Sequence, residues 1–310
     1  MKNILVIGSI NMDLSVQVER MPKPGETLAG HGLKISAGGK GANQAAAAAK
    51  LGAPVRMLGA VGKDGYGSQL RAALGSCGVD CTAVADVQVP TGLAMITVCG
   101  GENCIIIDHG ANGTLLPSIM EEHASLFEWA DILVLQLEIP METVIYAAQR
   151  AKAAGACVIL NPAPMEHSLS HDLLDYVDIL VPNEHEASLL LGGVLVETET
   201  AVQAARKLYE KFGTHVIITL GSQGSIYYDG TTVIRQMAAQ VTPVDTTAAG
   251  DSFIGGLCFS LAEGKTMAEA LRFATAVSAV TVTRSGAIFS LPTRQEAESV
   301  LIGLTTKTPF

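Results

Sequence analysis

The chain has 310 residues, of which 48% are hydrophobic and 16% charged, as is typical of a globular protein with a large core. The net charge is −10 and no basic run occurs, which argues against a nucleic-acid partner. No segment approaches the roughly 20 apolar residues of a membrane span, and the apolar start at residues 4–7 is too short for a signal peptide. We therefore expect a cytoplasmic protein with neither a membrane nor a nucleic-acid partner.

Short β-branched runs alternate with Ala-rich helical stretches along most of the chain. The runs lie at residues 4–7, 55–58, 132–135, 157–160, 179–181 and 216–220. They lack polar alternation, as do strands that are buried on both faces. Helical stretches such as 141–154 and 199–212 would supply the crossovers of a parallel sheet. The pattern predicts a three-layer α/β/α sandwich around a central, mainly parallel sheet.

Two regions depart from this rhythm, because their strand-like segments have no helix between them. The segments are 14–18, 27–35, 93–98 and 104–107, with a Gly-rich turn at 100–103. We predict a small separate sheet, formed by about 14–35 and 93–108, within a single domain spanning 1–310. An isolated sheet exposes one apolar face, so this one should cover a site or pair with a second copy of the chain.

A segment of small residues at 244–253 precedes an apolar helical stretch at 254–261. Small residues at a helix start leave backbone N–H groups open to an anion at the positive end of the helix dipole. Asp251 lies where its carboxylate can take a proton from an attacking hydroxyl while the amides hold developing charge. The candidate catalytic residues are Ala248, Ala249, Gly250 and Asp251. The alternative is that Asp251 is an ordinary helix N-cap.

A second Gly-rich segment, at 36–44, precedes a predicted helix at 45–51. It is not a Walker A loop, because the upstream glycine spacing and a Ser or Thr after Lys40 are both missing. The chain has no G-x-G-x-x-G either, so a nucleotide must bind in another way. On its own the segment fits a tight turn as well as a ligand loop.

Polar residues also follow the predicted strands. Asn11 and Asp13 come after the first strand, and an amide beside a carboxylate suits the hydroxyls of a sugar. Alternatively, they form a turn held by Asx hydrogen bonds. Glu138 ends an apolar stretch at 132–137, at the strand end where ligands of parallel sheets gather. Its alternative is a solvated carboxylate at the sheet edge.

Taken together, these segments resemble the signatures of the ribokinase-like carbohydrate kinases over nearly the whole chain. Further matching strings, in the family's order, are 8–13, 24–27, 61–67, 135–138, 161–164, 182–186 and 219–224. Each string is common alone, but their order makes the resemblance specific. It implies ATP-dependent phosphorylation of ribose at the 5-hydroxyl, with Mg²⁺ and K⁺, by a homodimer joined through a β-sheet lid.

The resemblance also implies three sets of site residues. The sugar would contact Asn11, Asp13, Gly39, Lys40, Gly41, Asn43, Glu138 and Asp251. ATP and its magnesium would be held by Asn183, Glu186, Thr219, Gly221, Ser222, Gly224, Gly250 and Thr275. A monovalent cation would be held by Asp245, Thr247, Thr281, Arg284, Gly286 and Ser290. Without the resemblance, Asn183 is a helix N-cap, 219–224 a strand-to-turn transition and 281–290 a helix end with a loop.

Two positions depart from the family pattern. Thr275 lies where members often carry a histidine near the adenine, which affects the expected adenine affinity. Met12 is bulkier than the small residue frequent at its position, which affects the expected sugar choice. Asn11 together with Asp13 favours ribose, because relatives that prefer 2-deoxyribose tend to lose the asparagine.

Other functions remain open at this point. The same family includes kinases of 2-deoxyribose and of other sugars or nucleosides. A catalytically silent sugar sensor of this fold would be expected to lose Gly250 or Asp251, and both are present. A nicotinamide dehydrogenase would fit the alternation of strands and helices, but its glycine fingerprint is missing.

Overall fold

The computed structural model describes residues 1–100, 102–165, 169 and 171–307, which form two sheets flanked by helices. The strands are β1 (Ile4–Ile7), β2 (Asn11–Gln17), β3 (His31–Gly38), β4 (Val55–Gly62), β5 (Asp80–Val87), β6 (Gly92–Cys99), β7 (Glu102–Asp108), β8 (Ile132–Leu135), β9 (Cys157–Leu160), β10 (Ile179–Leu180), β11 (His215–Thr219), β12 (Ser225–Tyr228) and β13 (Val233–Gln236). The helices are α1 (Lys40–Lys50), α2 (Gly65–Ser76), α3 (Pro117–Glu121), α4 (Ser125–Trp129), α5 (Met141–Ala153), α6 (His171–Leu174), α7 (Glu184–Leu190), α8 (Ala201–Phe212), α9 (Ala249–Ala262), α10 (Met267–Thr281) and α11 (Arg294–Lys307). Short 3₁₀ helices lie at Gly110–Thr114, Gly221–Gln223 and Ile288–Ser290.

The large sheet has nine strands in the order β13-β12-β11-β10-β9-β8-β1-β4-β5. Pairing is parallel from β5 to β11, and β12 and β13 add an antiparallel edge. Along β1, Ile4 and Val6 join one hydrophobic core with α1, α9 and α10, while Leu5 and Ile7 join a second core with α5 and α8. Apolar side chains on both faces of a parallel strand require helices on both sides. The predicted α/β/α sandwich is therefore confirmed.

Strand prediction succeeded where burial is complete and failed at the sheet edges. The strands β1, β8 and β9 coincide with the predicted runs. The edge strands β5 and β13 were not predicted, because polar residues interrupt their apolar runs. The inner strand β12 was not predicted either, because its apolar run is only three residues long. The helix expected at 45–51 begins five residues earlier, at Lys40, since Gly41 in its first turn weakens the helical signal.

The small sheet has four strands in the order β3-β2-β6-β7 and forms the predicted lid. The central pair, β2 with β6, is parallel, and both outer pairs are antiparallel. Three strands begin earlier than predicted, at Asn11, Gly92 and Glu102, and β3 begins later, at His31. Because β2 starts at Asn11, Asn11 and Asp13 both belong to the lid itself.

Helix α9 packs closely against α1 and is buried along most of its length. Gly255 makes the close packing possible, because a Cβ atom there would collide with the Cβ atom of Ala47. The packing brings the first turn of α1 beside the first turn of α9. In the described part of the chain, no helix is long and apolar enough to cross a membrane, and this includes the apolar α9.

We predict that Gly255→Ala destabilises the protein by about 1 to 3 kcal/mol, because neither helix backbone can move away without repacking the core. The matched control is Gly75→Ala in α2, where an added Cβ atom meets nothing within 4 Å. Helix propensity favours alanine at both positions by up to about 1 kcal/mol. Comparing the free energies of unfolding of the two variants in urea therefore measures the cost of the collision at Gly255. Equal stability of the two variants would contradict the close packing.

Candidate active site

The predicted sugar-binding residues meet at the carboxyl end of β1, beneath the small sheet. Asn11 and Asp13 lie on β2 with their side chains on one face, and both are buried. The Asx-turn alternative is therefore wrong. Met12 points to the opposite face and is buried in the hydrophobic core. Contrary to expectation, its size does not influence the sugar side by direct contact.

Glu138 is 5% exposed and accepts hydrogen bonds from three groups, so the solvated-edge alternative is wrong. The donors are the Ser9 hydroxyl, the Lys40 amide at 3.4 Å and the Asn11 side-chain amide at 3.5 Å. Asp13 lies nearby. Burial, together with the negative charges of Glu138 and Asp251, raises the pKa of Asp13 to about 7.

Two glycines let the start of α1 approach the chain segment 8–11 backbone to backbone. Gly39 has φ of 93° and precedes α1, and a Cβ atom there would lie 2.7 Å from the Asn11 amide nitrogen. At Gly41, the added atom would lie 2.7 Å from the Gly8 carbonyl carbon. Lys40 and Asn43 lie in the first turn of α1 and not in a loop.

Lys40 is surrounded by acidic groups. Burial opposes its charged form, but the negative charges of Asp251, Glu138 and Glu186 outweigh burial and raise the pKa of Lys40. The ammonium group therefore stays charged and offsets part of the negative charge of the site.

Asp251 is the third residue of α9 and is 8% exposed. Its Oδ2 accepts a hydrogen bond from Asn43 Nδ2 at 2.9 Å, and its Oδ1 accepts one from Gln44 Nε2 at 3.0 Å. The N-cap of α9 is Ala248, which has φ of 59°. The carboxylate does not cap its own helix, so the N-cap alternative for Asp251 is wrong.

The first turn of α9 offers backbone donors, but not the set that the sequence suggested. The Ala249 amide already donates to the Thr246 carbonyl at 3.1 Å. Within the described ranges, the amides of Ala248, Gly250 and Asp251 have no hydrogen-bond acceptor. These three donors lie at the positive end of the α9 dipole, where an anion is stabilised.

A cavity of about 300 Å³ adjoins this helix start. Its lining includes six residues predicted to contact the nucleotide, namely Thr219, Gly221, Ser222, Gly224, Gly250 and Thr275. Phe253 and Val282 add apolar walls that the sequence reading did not identify. The strand-to-turn transition at 219–224 is real, since β11 ends at Thr219 and a 3₁₀ helix follows, and its turn lines the cavity.

Asn183 and Glu186 lie outside the lining of this cavity and form a capping box at the start of α7. Asn183 accepts from the Glu186 amide at 2.8 Å, and Glu186 accepts from the Asn183 amide at 2.9 Å. The N-cap reading of Asn183 is therefore correct. Burial raises the pKa of Glu186, although the hydrogen bond from Asn183 opposes this effect.

The predicted cation residues are joined through Asp245. Its carboxylate accepts from the Thr247 amide at 2.9 Å and hydroxyl at 2.6 Å, and from the Gly286 amide at 2.9 Å. Burial would raise the pKa of Asp245, but the hydrogen bonds from Gly286 and Thr247 lower it. The ionised Asp245 carboxylate thus connects the segment before α9 to the segment after α10.

The other predicted cation residues have different surroundings. The hydroxyls of Thr281 and Ser290 are buried and donate to the carbonyls of Val277 and Ala287. The Arg284 guanidinium turns away and pairs with a glutamate of α11. Among the residues described, no cluster of three or more His, Cys, Asp or Glu side chains is suited to a metal ion.

Sequence reasoning missed several side chains that orient the site. Asn112 donates through Nδ2 to Asn11 Oδ1 at 2.7 Å and accepts from the Ile10 amide at 2.9 Å. Ser9 links Glu138 to the start of α1. Gln44 follows Asn43 directly and Ser9 lies two residues before Asn11, so both are close in sequence to predicted site residues. Asn112 lies about a hundred residues from its partner and gives no local signal.

Comparison with known proteins agrees with this geometry. The model of the pfkB family of carbohydrate kinases matches residues 1–294. The chain is 42% identical to the ribokinase of Haemophilus influenzae, covering 95% of this chain and 97% of that protein. It is 36% identical to a deoxyribokinase of Salmonella typhi, covering 96% of this chain and 98% of that protein. The structure of Arabidopsis thaliana ribokinase complexed with ribose and ATP superposes with a TM-score of 0.90 at 40% identity, covering 97% of this chain and 98% of that one.

We predict that Asp13 makes the ligand-free protein lose stability as the pH rises. Between its ordinary pKa of 3.8 and about 7, the folded protein keeps a proton on Asp13 that the unfolded chain has released. This stabilisation is therefore fully present below that range, falls as the pH rises through it and is lost above about 7. We expect the free energy of unfolding in urea to fall in the wild type, relative to Asp13→Asn, by at least about 1 kcal/mol between about pH 5 and about pH 8. A constant difference between the two proteins would contradict the shift.

Proposed function

Because the chain belongs to the pfkB family of carbohydrate kinases, we propose that it transfers the γ-phosphoryl group of ATP to the 5-hydroxyl of D-ribose, forming ribose 5-phosphate and ADP. The observation that carries the proposal is the position of Asp251. Its buried carboxylate lies at the start of α9, between the sugar-binding residues and the predicted nucleotide cavity. A base in this position can reach a hydroxyl that faces a phosphoryl group.

The reaction follows from the charges of the site. Asp251 accepts the proton of the 5-hydroxyl as the sugar oxygen forms a bond to the γ-phosphorus and the bond to the β–γ bridging oxygen breaks. Each Asp251 oxygen accepts one amide hydrogen bond and keeps room for the hydroxyl. The amides of Ala248, Gly250 and Asp251 stabilise the negative charge on the transferred group. The lid of β2, β3, β6 and β7 excludes water from the sugar.

Asn11 supports ribose as the substrate. Asn112 holds its Oδ1, which leaves the Nδ2 group directed toward Glu138 at the long distance of 3.5 Å and able to donate to a sugar hydroxyl. A site built to pair with a hydroxyl rejects a substrate that lacks it. Since a deoxyribokinase is 36% identical to this chain, 2-deoxyribose is the alternative substrate.

The cavity beside α9 suits ATP, and Glu186 suits its magnesium. Thr219, Gly221, Ser222 and Gly224 contribute small and hydroxyl-bearing contacts, and Phe253 adds an apolar surface for the base. Glu186 would hold Mg²⁺ through waters that the ion retains, and the ion would neutralise negative charge on the phosphates. A reaction that uses ATP favours a cytoplasmic location.

An ATP-dependent phosphorylation panel over ribose, 2-deoxyribose, fructose and adenosine tests the proposal. We expect the highest kcat/KM with ribose and a loss of at least about tenfold with 2-deoxyribose, because one buried hydrogen-bonding group is left unpaired. Asn11→Ala should reduce the preference for ribose. Equal kcat/KM for both pentoses would refute the assignment of ribose, and phosphorylation of none of the four would refute the proposed activity.

The segments joined by Asp245 also support activation by potassium. Thr247 and Gly286 are held against Asp245, and the buried hydroxyls of Thr281 and Ser290 lie in the segment that contains Gly286. The donor set consists of oxygens and lacks clustered histidines or thiols, as a hard monovalent cation requires. Bound K⁺ would supply positive charge beside the anion-binding start of α9.

We predict that replacing K⁺ by Na⁺ at constant ionic strength lowers kcat and leaves the requirement for Mg²⁺ unchanged. Asp245→Asn should bring the rates in the two salts together, since the neutral side chain attracts neither cation strongly. The measurement is kcat in each salt for both proteins. Identical wild-type rates in K⁺ and Na⁺ would exclude a cation-dependent loop.

The outer face of the lid supports a homodimer. Ile35, Leu14, Met95 and Ile106 are paired directly across the four strands, so they form one apolar row. Ile106 is 63% exposed and Ile35 is 51% exposed. This row lies on the face opposite Asn11 and Asp13. A second lid packed across a two-fold axis would bury both rows.

We predict that the protein scatters light as about twice its chain mass of 32.2 kDa at low micromolar concentration. Ile106→Asp should yield a monomer with weaker sugar binding, because it places a charge within the apolar row. The matched control is Leu195→Asp, which changes an equally exposed apolar residue outside the lid. A monomeric wild type over the whole concentration range would exclude the dimer.

A further inference from the structure

Gln44 links the central sheet to the predicted base. It is 1% exposed in the first half of α1, and its Nε2 donates to Asp251 Oδ1 at 3.0 Å. The same nitrogen donates to Asn161 Oδ1 at 3.3 Å. Its Oε1 accepts from Gln136 Nε2 at 2.7 Å. Both hydrogens of the Gln44 amide are therefore used within the protein, and none is left for a substrate.

These contacts fix which end of the Gln44 amide faces Asp251. A flipped amide would place Oε1 against the carboxylate and Nε2 against the Gln136 donor. Asn161 is fixed in turn, because its Nδ2 donates to the Val181 carbonyl at 3.1 Å. Gln136 and Asn161 together therefore keep the Gln44 Nε2 group, and not Oε1, directed at Asp251.

The supporting groups lie directly after neighbouring strands of the central sheet. Gln136 follows β8, Asn161 follows β9 and Val181 follows β10, which are neighbouring strands of the parallel sheet. The absence of a Cβ atom at Gly8 leaves space for the Gln136 side chain. Gln44 therefore connects three strand ends to a helix that packs over the sheet.

The neighbouring Asn43 has a different role. It also donates to Asp251, but its buried Oδ1 has no hydrogen-bond partner among the described residues, so it is open to a substrate hydroxyl. The amide of Gln44 is saturated by protein groups. Removing Gln44 would therefore act through Asp251 and not through lost contact with the sugar.

We propose that Gln44 is a positioning residue, which holds the Asp251 carboxylate in the orientation that accepts the proton of the attacking hydroxyl. The inference rests on the proposed role of Asp251 as the base. A neutral amide serves this purpose because it orients the carboxylate by a hydrogen bond without adding charge, and Lys40 already supplies positive charge near Asp251.

The test is a double-mutant cycle on kcat with Gln44→Met and Asp251→Asn. Methionine keeps the length of the side chain without donating a hydrogen bond. We expect Gln44→Met to lower kcat by about 10- to 100-fold, since a misplaced catalytic group loses rate steeply. The Kd values for ribose and ATP should stay within about threefold, because neither ligand contacts Gln44. In the Asp251→Asn background, Gln44→Met should change kcat by less than about twofold.

Two controls separate positioning from general damage. Thr143→Val removes a buried hydrogen bond in α5, far from Asp251 in the fold, and should leave kcat unchanged. Gln136→Met removes the partner of Gln44 Oε1 and should lower kcat less than Gln44→Met does, again only when Asp251 is present. It serves as the test variant if Gln44→Met does not fold.

Each outcome has one meaning. A native kcat in Gln44→Met, or losses that multiply in the double variant, would overturn the positioning role even if Asp251→Asn is inactive. A near-native kcat in Asp251→Asn alone would overturn the proposed base and, with it, this inference. Loss of ribose binding in Gln44→Met would assign Gln44 to the sugar site and overturn the inference.

Discussion

The proposed site depends on hydrogen-bond donors for the Asp251 carboxylate, which is 8% exposed. An isolated buried carboxylate is strongly unfavourable, so its oxygens need hydrogen-bond donors. Asn43 and Gln44 provide one donor to each oxygen. These donors reach α9 because Gly255 and Ala47 allow the two helices to touch. A shift of the helices would leave the buried carboxylate without these partners.

The same confined space explains the balance of charge in the predicted sugar site. Burial, together with the nearby negative charges of Glu138 and Asp251, raises the pKa of Asp13 to about 7. Lys40 supplies positive charge, and its own pKa rises although burial opposes it. A neutral, hydroxyl-rich ligand suits such a site better than an anionic one, since its hydroxyls can donate to each carboxylate. The open amides at the start of α9 offer the anion site that the proposed phosphoryl transfer requires.

The sequence predicted the features that local patterns encode. Completely apolar strands such as β1 and β8 predicted the sandwich, and the small residues before Asp251 predicted a helix start with open amides. The polar edge strand β13 and the Gly-containing first turn of α1 gave no such signal. Packing between distant segments was also beyond local patterns. Gln44 and Asp251 are 207 positions apart, and Asn112 and Asn11 are 101 apart, so only the tertiary structure brings them together.

The turnover of Asp251→Asn with ribose and MgATP tests the central claim most directly. Asparagine keeps the size of the side chain but cannot take up the proton, so kcat should fall by about 100-fold or more. Calorimetry on the same protein should show that ribose and ATP still bind and that the unfolding transition is retained. A folded Asp251→Asn protein with near-native kcat would contradict the account.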